Sequence, residues 1–373
     1  MVANNLHVGV IFGGRSGEHA VSLMSAAFVL SQLDPAQYTI TQIGITRQGE
    51  WLVGEGALDA LASENTRSLQ PATLLADPTR PGLRSIAPGD EGEILQKLAM
   101  LDVVFPVLHG TFGEDGTLQG LLEMAGVAYV GAGVLGSAAA MDKGLFFDVM
   151  RANAIPVVPT VVVLRSGLQS DPDAALTRAE TLGGYPLFVK PANLGSSVGV
   201  SKVHNRSDLL EGLMEAAQYD RRVVVQSGLN VREIELSVFG NESPEASVCG
   251  EIVPQAEFYS YEAKYHDDRS KSVIPADIPA ETSNHIRALG IQAYKALDLA
   301  GMARVDFFLE RETGEVYLNE INTIPGFTSI SMYPMLWEAS GLGNQALVER
   351  LVELALERHA QRQATTHEFR RSA

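Results

Sequence analysis

Apolar and polar residues alternate along the first third of the chain in blocks that predict strands followed by helices. Residues 8–12, 38–45 and 103–108 are apolar runs of the kind that form buried strands. Residues 16–33 and 116–124 have apolar positions at helical spacing. Because strands that alternate with helices usually form a parallel sheet covered by helices, this part of the chain is predicted to be an α/β domain.

The pattern changes at two points, which divide the chain into three predicted domains. Residues 55–92 are rich in Pro, Gly, Ser and Thr, and we expect a surface insertion without chemistry there. From about residue 141 a smaller set of strands and helices follows, and from about residue 229 several strands follow one another. The predicted domains are residues 1–140, 141–228 and 229–373.

A hairpin is predicted near the C-terminus, and its polar positions are the most informative in the chain. Two largely apolar segments, residues 301–308 and 317–322, flank a turn at residues 312–314. A three-residue loop with Gly in the left-handed position places Asp306 opposite Glu320 on one face of the ribbon. Cross-strand neighbours of this kind are about 5 Å apart. The sequence therefore predicts two carboxylates in one small site.

Two carboxylates this close repel each other unless a cation lies between them. The period of two along a strand puts Arg304 and Asn322 on the same face as Asp306 and Glu320. Two carboxylates and an amide form an all-oxygen set that suits Mg²⁺, which also binds substrate phosphates. The alternative is an ordinary polar hairpin face, whose carboxylates pair with Arg304 or with water.

Bulk composition narrows the class of protein. The chain has 373 residues, 46% of them hydrophobic, which is enough for two or three domains. With 28 basic and 45 acidic residues the net charge is −17, which argues against nucleic acid or an anionic membrane as a partner. The single cysteine, Cys249, cannot form an internal disulfide, and no apolar run approaches the length of a membrane span. We therefore expect a cytoplasmic protein.

Glycine loops and lysines suggest a site for a polyphosphate. The loop at residues 195–199, Gly-Ser-Ser-Val-Gly, follows Lys190 and lies between two predicted strands. Such a loop can lay backbone N–H groups over phosphates, although it is equally typical of a hairpin turn. Lys143, Lys190 and Lys264 lie beside strand ends or glycine loops in a chain with few cations. Three point charges suit a triphosphate, whereas any one of them alone is usually a solvated surface lysine.

Two glycine loops of the first domain lie at the carboxyl ends of predicted strands, where open α/β sheets bind ligands. They are residues 13–19, Gly-Gly-Arg-Ser-Gly-Glu-His, and residues 109–116, His-Gly-Thr-Phe-Gly-Glu-Asp-Gly. We expect both to line one crevice, although Ser16 and Asp115 are also good helix caps. His109 on its own is more often structural than catalytic.

Residues 131–136 match the glycine pattern of dinucleotide-binding proteins, and this match keeps a second class of enzyme open. The run Gly-Ala-Gly-Val-Leu-Gly follows a strand and precedes an alanine-rich helix. A dinucleotide site would also need an acidic residue about 20 positions later, and residues 151–158 contain none. Tight packing of a helix on a strand is the favoured interpretation, with a nicotinamide-dependent dehydrogenase as the alternative.

Taken together, these segments resemble the ATP-grasp superfamily, and within it the bacterial D-alanine:D-alanine ligases. The resemblance runs from about Val8 to His359. Its most specific motifs are residues 13–19, 109–116, 141–143, 190–192, 195–199, 261–265 and 319–328. It implies a Rossmann-like parallel-sheet domain followed by two ATP-grasp subdomains.

The resemblance also implies a reaction, in which ATP drives the condensation of two D-alanines into D-alanyl-D-alanine for peptidoglycan precursors. The first carboxylate attacks the γ-phosphate to give an acyl phosphate, and the amine of the second D-alanine then displaces phosphate. Relatives use two Mg²⁺ or Mn²⁺ ions and are commonly homodimers. The ions would be bound by Asp306, Glu320 and Asn322.

Further roles carry over by position. Arg304 and the N–H of Gly326 resemble the oxyanion hole, which stabilises charge that grows in the transition state. The other catalytic positions are Glu18, Ser196 and Tyr265, which resemble the network around the first ammonium group. Substrate carboxylates would be bound by His109, Ser331 and Met332. Nucleotide contacts are implied for Lys143, Lys190, Ser197, Gln226, Leu229, Glu233 and Lys264.

The chain departs from the family pattern at two positions. Gln226 stands where the family usually has Glu, so an adenine amine would meet an amide oxygen without charge assistance. We expect ATP use to survive with weaker nucleotide binding. Leu194 replaces a residue that is commonly polar. Tyr265 favours an amine over a hydroxyl nucleophile, but a D-alanine:D-lactate or D-alanine:D-serine ligase and a nucleotide-sensing protein without turnover stay open as alternatives.

Overall fold

The computed structural model describes residues 5–195, 198–253 and 271–366, and within these ranges the strands form three sheets. The strands of the first sheet are β1 (Leu6–Gly13), β2 (Tyr38–Ile45), β3 (Trp51–Val53), β4 (Gln70–Leu74), β5 (Leu83–Gly89), β6 (Gly92–Ala99), β7 (Val103–Val107) and β8 (Ala128–Tyr129). Its helices are α1 (His19–Gln32), α2 (Ala57–Ala62), α3 (Thr117–Ala125) and α4 (Val134–Met141).

The first sheet is parallel in its centre and antiparallel at one side. Strands β2, β1, β7 and β8 are parallel neighbours, which confirms the predicted α/β domain. Beyond β2, strands β3 to β6 continue the sheet in antiparallel pairs. The surface insertion expected over residues 55–92 therefore contains β4, β5 and the start of β6. Most of β6 is exposed on both faces, so it lacks the alternation that marks a strand.

The second sheet is smaller and entirely antiparallel, in the order β11-β10-β12-β9. Its strands are β9 (Thr160–Leu164), β10 (Leu187–Pro191), β11 (Ser201–Val203) and β12 (Arg222–Ser227). Helices α5 (Lys143–Ala152), α6 (Arg165–Ser170), α7 (Pro172–Glu180) and α8 (Arg206–Tyr219) accompany it. One face of this sheet buries Leu187, Val189, Val223 and Val225 beneath α8 and its neighbours. The opposite face is therefore available to the rest of the molecule.

The third sheet has the order β15-β14-β13-β16-β17 and carries the predicted hairpin at its edge. Its strands are β13 (Val231–Gly240), β14 (Glu245–Val253), β15 (Lys271–Val273), β16 (Gly301–Glu310) and β17 (Val316–Asn322). Helices α9 (Ala280–Ala296), α10 (Met332–Ala339) and α11 (Asn344–Gln363) complete it. Each sheet lies within one of the segments 1–140, 141–228 and 229–373.

The core joins the sheets at the places where loops converge. Phe105 of β7 packs edge-on against Phe327, which follows β17, with ring centroids 6.4 Å apart. Helix α11 contributes Leu347 and Leu351 to the same cluster of buried side chains. The loop after β17 is thus held against the carboxyl end of the first sheet. No helix among the described residues is long and apolar enough to cross a membrane.

Candidate active site

Asp306 and Glu320 lie directly opposite each other on β16 and β17, and Arg304 lies opposite Asn322. Gly314 has the predicted left-handed backbone, with φ +73°. The turn differs from the prediction, because Glu310 pairs with Glu315 and the loop is residues 311–314. A bulge beyond Asp306 offsets this shift. The predicted pairing of Asp306 with Glu320 is confirmed, although it results from a longer loop combined with a bulge.

The acidic side chains surround Arg304. The carboxylate of Asp306 accepts from Nε and Nη2 of Arg304 at 2.8 and 2.7 Å, and from Nδ2 of Asn322 at 3.0 Å. Nε of Arg304 also lies 3.1 Å from Oε2 of Glu235, which pairs with Asp306 across β13 and β16. Burial alone would lower the pKa of Arg304, but the Asp306 and Glu235 carboxylates outweigh it and raise that pKa well above its ordinary value.

The donor set suits a hard cation that is also bound by phosphates. Asp306, Glu320 and Asn322 offer oxygen ligands from two adjacent strands. Within the described ranges, no three Asp, Glu, His or Cys side chains are arranged to hold a metal by themselves. Magnesium commonly takes one or two protein carboxylates and completes its shell with phosphate and water, so these residues fit a metal that is bound together with a nucleotide.

Two of the three predicted lysines lie beside the glycine-serine loop and the second sheet. Nζ of Lys143 donates to the carbonyl of Leu194 at 2.7 Å, at the entrance to the loop. Nζ of Lys190 donates to Oε1 of Gln226 at 2.8 Å. Ser196, Ser197, Lys264 and Tyr265 lie outside the described residues.

Asn193 fixes the start of the glycine-serine loop, although no motif marked this residue as functional. Its Nδ2 donates to Asp220 at 2.8 Å and to Asp142 at 3.1 Å. Arg222 donates to the same Asp142 carboxylate at 2.6 Å. These hydrogen bonds join the residue before α5 to the start of β12. The glycine-serine loop therefore begins at a fixed position.

The two glycine loops of the first domain contact each other, and the crevice between them stays a prediction. Oγ of Ser16 donates to the carbonyl of His109 at 2.6 Å, and the Arg15 guanidinium lies 4.9 Å from the centre of the Phe112 ring. A Cβ placed on Gly110 would lie 2.5 Å from Oε2 of Glu18. One placed on Gly195 would lie 3.2 Å from the same oxygen. The Glu18 carboxylate therefore lies between the first domain and the glycine-serine loop.

His109 is buried, and both of its ring nitrogens face groups of the protein. Nδ1 lies 2.9 Å from the carbonyl of Ile324, so it carries the proton and donates. Nε2 lies 2.9 Å from Oγ of Ser25 and accepts from it. Burial lowers the pKa of His109, which favours this neutral ring. Substrate binding by His109 stays a prediction; the contacts in the structure hold the loop after β17.

Gly326 lies in the loop held by His109, between two pinned neighbours. The N–H of Ile324 donates to Oε1 of Glu114 at 2.9 Å, and the N–H of Phe327 donates to Oγ of Ser25 at 3.1 Å. Among the described residues, the N–H of Gly326 has no acceptor. A free backbone donor between two fixed ones is the arrangement an oxyanion hole requires.

Glu114 is a functional candidate that sequence reasoning missed. Its second oxygen, Oε2, accepts the N–H of Gly110 at 2.8 Å, so one carboxylate joins the first domain to the loop after β17. Burial and then the Glu18 carboxylate raise the pKa of Glu114 to about 8. The only sequence signal was its place inside a glycine-rich loop.

Ser331 and Met332 lie at the N-terminus of α10. Oγ of Ser331 accepts the N–H of Thr328 at 3.0 Å, which closes a small turn before the helix. The Met332 side chain is buried with Ile252 and Leu336, so only its backbone N–H faces the helix end. The N-terminus of a helix attracts carboxylates, which fits the predicted role.

The glycine run at residues 131–136 serves close packing, which confirms the structural interpretation. A Cβ on Gly136 would lie 2.7 Å from Cδ2 of Leu299, and one on Gly301 would lie 2.7 Å from the backbone nitrogen of Gly131. The run therefore lets α4 and the end of the first sheet approach β16.

Known proteins resemble this chain over most of its length. Family models described as D-ala D-ala ligase N-terminus and C-terminus match residues 7–132 and 149–353. The D-alanine–D-alanine ligase of Thermoanaerobacter sp. (strain X514) is 50% identical over 354 residues, which cover 94% of this chain and 97% of that protein. The D-alanine–D-alanine ligase of Acetivibrio thermocellus is 46% identical over 359 residues, 94% of this chain and 96% of that protein.

Solved structures show the same fold. The VanG D-Ala:D-Ser ligase of Enterococcus faecalis has a TM-score of 0.84 and 35% identity, over 94% of this chain and 100% of that chain. The D-alanine-D-alanine ligase of Coxiella burnetii has a TM-score of 0.79 and 38% identity, over 96% of each chain. The architecture is therefore that of the ATP-grasp enzymes. Within that class, the chain belongs to the D-alanine–D-alanine ligase family.

Proposed function

We propose that this protein is an ATP-dependent ligase that joins two D-alanines to D-alanyl-D-alanine for peptidoglycan synthesis. The observation that carries the proposal is the alignment of Arg304, Asp306 and Glu320 on one hairpin face in a chain 50% identical to a D-alanine–D-alanine ligase. The pairing of Asp306 with Glu320 supports the placement of the metal site on this hairpin.

ATP would bind between the second and third sheets. Lys143, Lys190 and Lys264 would neutralise the phosphates, covered by the loop that contains Ser196 and Ser197. Gln226, Leu229 and Glu233 would line the base and ribose pocket, since β12 ends and β13 begins there.

Asp306, Glu320 and Asn322 would bind two Mg²⁺ or Mn²⁺ ions, which would neutralise charge on the β- and γ-phosphates. In the structure, Asp306 accepts from Arg304 and Asn322. Rotation of the Asn322 amide would present its oxygen instead. Metal binding would then free part of the Arg304 fork for the substrate.

The first D-alanine would lie in the crevice of the first domain. Glu18, in a network with Ser196 and Tyr265, would bind its ammonium group, and its carboxylate would attack the γ-phosphate to give an acyl phosphate. Arg304 and the N–H of Gly326 would stabilise the tetrahedral intermediate formed by the second amine. His109 would hold the loop that contains Gly326 through its hydrogen bond to the carbonyl of Ile324.

The second substrate would be oriented by its carboxylate. Ser331 and the N–H of Met332 would bind that group at the start of α10. Because a structural relative is a D-Ala:D-Ser ligase, D-serine is the competing second substrate to test. Tyr265 supports an amine nucleophile over the hydroxyl of D-lactate.

One experiment tests the function directly. Phosphate release and product mass are measured with ATP, Mg²⁺ and one of D-alanine, L-alanine, D-alanine plus D-serine, or D-alanine plus D-lactate. We expect release with D-alanine alone, accompanied by the dipeptide, and none with L-alanine. A mixed product that exceeds D-alanyl-D-alanine at equal concentrations would reassign the enzyme to the second substrate that formed it.

We also propose a homodimer joined through β6. This strand lies at one of the two edges of its sheet, and the side chains of Ile94, Leu95 and Leu98 are 44–48% exposed. A two-fold axis at Leu95 would pair β6 with its copy in antiparallel fashion and place Glu93 opposite Lys97 of the second copy. An exposed apolar edge strand is a template for such pairing. A cytoplasmic location is proposed because ATP is the co-substrate and the single Cys249 needs no oxidising compartment.

A further inference from the structure

Gln226 is a buried polar side chain with one half of its amide satisfied. It is 2% exposed and lies on β12, where it pairs with Phe188 of β10. Lys190 is two residues along β10 from Phe188, so its side chain is on the same face of the sheet. Nζ of Lys190 donates to Oε1 of Gln226 at 2.8 Å. Within the described residues, Nε2 of Gln226 has no hydrogen-bond partner.

Lys190 fixes which way this amide points. The ammonium group of lysine has donors only, so it must face the amide oxygen. Rotation of the amide by 180° would bring its NH₂ group against the ammonium, so that two donors would face each other. The orientation with Oε1 towards Lys190 and Nε2 away from it is therefore the stable one.

A carboxylate at this position would behave differently. It has two acceptor oxygens, so one could accept from Lys190 while the other accepts from the 6-amino group of adenine. Gln226 has a single acceptor atom, and that oxygen faces Lys190, so the other end of the amide, Nε2, is the group left for a base. What remains is a buried N–H donor, which is disfavoured until an acceptor reaches it. The 6-amino group of adenine is a donor, whereas the 6-oxo group of hypoxanthine and guanine is an acceptor.

We propose that Gln226 relaxes the choice of purine at position 6, so that 6-oxopurine nucleoside triphosphates support the reaction alongside ATP. This inference rests on the proposed function, in which Gln226 lines the base pocket. ATP stays a substrate because its 6-amino group meets an uncharged amide rather than a like charge. A carboxylate would favour 6-aminopurines over 6-oxopurines. Gln226 weakens this preference, because Nε2 offers no acceptor to the 6-amino group and offers a donor to the 6-oxo group.

The test compares ATP, ITP and GTP as phosphate donors, with D-alanine and Mg²⁺ saturating. For the wild type we expect kcat/KM values within about tenfold of each other. In Gln226→Glu the ratio of kcat/KM for ATP to that for ITP should rise about 10- to 100-fold. The carboxylate would gain a charged hydrogen bond from the 6-amino group of ATP, whereas it would face the 6-oxo group of ITP, which is also an acceptor. Ser227→Ala, at the neighbouring position of β12, is the matched control and should leave the ratio unchanged.

Binding separates this inference from the proposed function. Displacement of a fluorescent nucleotide gives the Kd ratio of ATP to ITP whether or not dipeptide forms. A wild type that prefers ATP over ITP by more than about 100-fold in Kd, or a Gln226→Glu variant with the wild-type ratio, would overturn the role of Gln226. Equal Kd values without dipeptide from any nucleotide would uphold Gln226 and reject the ligase instead.

Gln226→Leu keeps the test decisive if the glutamate variant folds poorly. Removing Nε2 takes away the donor to a 6-oxo group, so ITP and GTP should lose affinity relative to ATP. An unchanged ratio in this variant would show that Nε2 does not face the base.

Discussion

Oγ of Ser25 lies 2.9 Å from Nε2 of His109 and 3.1 Å from the backbone nitrogen of Phe327. One hydroxyl on α1 thus donates to a ring that follows β7 and accepts from the loop that follows β17. The same ring donates to Ile324, so the loop is fixed on both sides of Gly326. The position of the proposed oxyanion donor therefore depends on a residue of the first domain that touches no substrate.

Ser25→Ala tests this dependence. The change leaves the N–H of Phe327 without its acceptor, which disfavours the native loop by about 1–3 kcal/mol. We expect kcat to fall about 10- to 100-fold, because the N–H of Gly326 stabilises charge only in the transition state. KM for ATP should stay within about twofold, since the nucleotide pocket is formed by other sheets. Ser31→Ala, at an exposed position of the same helix, is the control. A variant with normal kcat would mean that the loop needs no support from α1.

Glu114 gives the fold a pH dependence with a definite sign. Its pKa is raised from 4.5 to about 8 in the folded protein, chiefly by burial. A carboxyl that binds its proton more tightly when folded contributes stability below pH 4.5, and that contribution is lost as the pH rises to about 8. Melting temperature should therefore fall more steeply between about pH 4.5 and pH 8 in the wild type than in Glu114→Gln.

The slope of melting temperature against pH is compared, because Glu114→Gln also lowers the stability by an amount that does not change with pH. Glutamine has one acceptor for the two N–H groups of Gly110 and Ile324, so it should be less stable than the wild type at low pH. Glu91→Gln, between β5 and β6 at an exposed site, should follow the wild-type curve. If the wild type and Glu114→Gln run parallel, Glu114 does not titrate in this range.

Asp306→Asn tests the metal site. The substitution removes one of the two carboxylates at the proposed site and keeps its shape. We expect the Mg²⁺ concentration for half-maximal rate to rise at least tenfold and kcat to fall about 100-fold. Binding of Mn²⁺ with nucleotide present, followed by electron paramagnetic resonance, gives a readout independent of turnover. Glu312→Gln, in the hairpin loop, should behave as the wild type; an unaltered Mn²⁺ affinity in Asp306→Asn would place the metal elsewhere.

The hairpin shows how far sequence pattern reaches. Its face and its Asp306–Glu320 pairing follow from strand periodicity and from the need for a left-handed residue at Gly314. The loop length and the bulge were not predicted, and the two deviations cancel. The spacing of the buried residues contained the signal, because Leu318 and Ile321 are three positions apart where a regular strand would bury every second residue.

Other parts of the site have no local signal. Glu114, Ser25 and Asn193 contact segments that are distant in sequence, and such partners are decided by how the segments pack. Glu235 is similar: its position beside Arg304 follows from the register of β13 on β16, which neither strand specifies alone. The residues whose roles were predicted lie in motifs whose residue types and spacing indicate a ligand. The supporting residues can be identified only in the assembled sheets.

Leu95→Cys tests the proposed dimer, because a residue on a two-fold axis between antiparallel strands faces its own copy. The Cα atoms of directly opposed residues are about 4.5–5.5 Å apart, a separation that permits a disulfide. Cys249 is the single native cysteine and is buried, so it gives little background. Mild oxidation should therefore convert Leu95→Cys to a covalent dimer. Glu91→Cys, which would be displaced from its copy by eight residues or about 27 Å, should stay monomeric on a denaturing gel.

Sedimentation tests the charged pair at the same interface. Glu93→Lys should weaken the dimer, and the double exchange Glu93→Lys with Lys97→Glu should restore it, since only the charges change places. A dimer that tolerates Glu93→Lys and leaves Leu95→Cys reduced would have its interface on another surface.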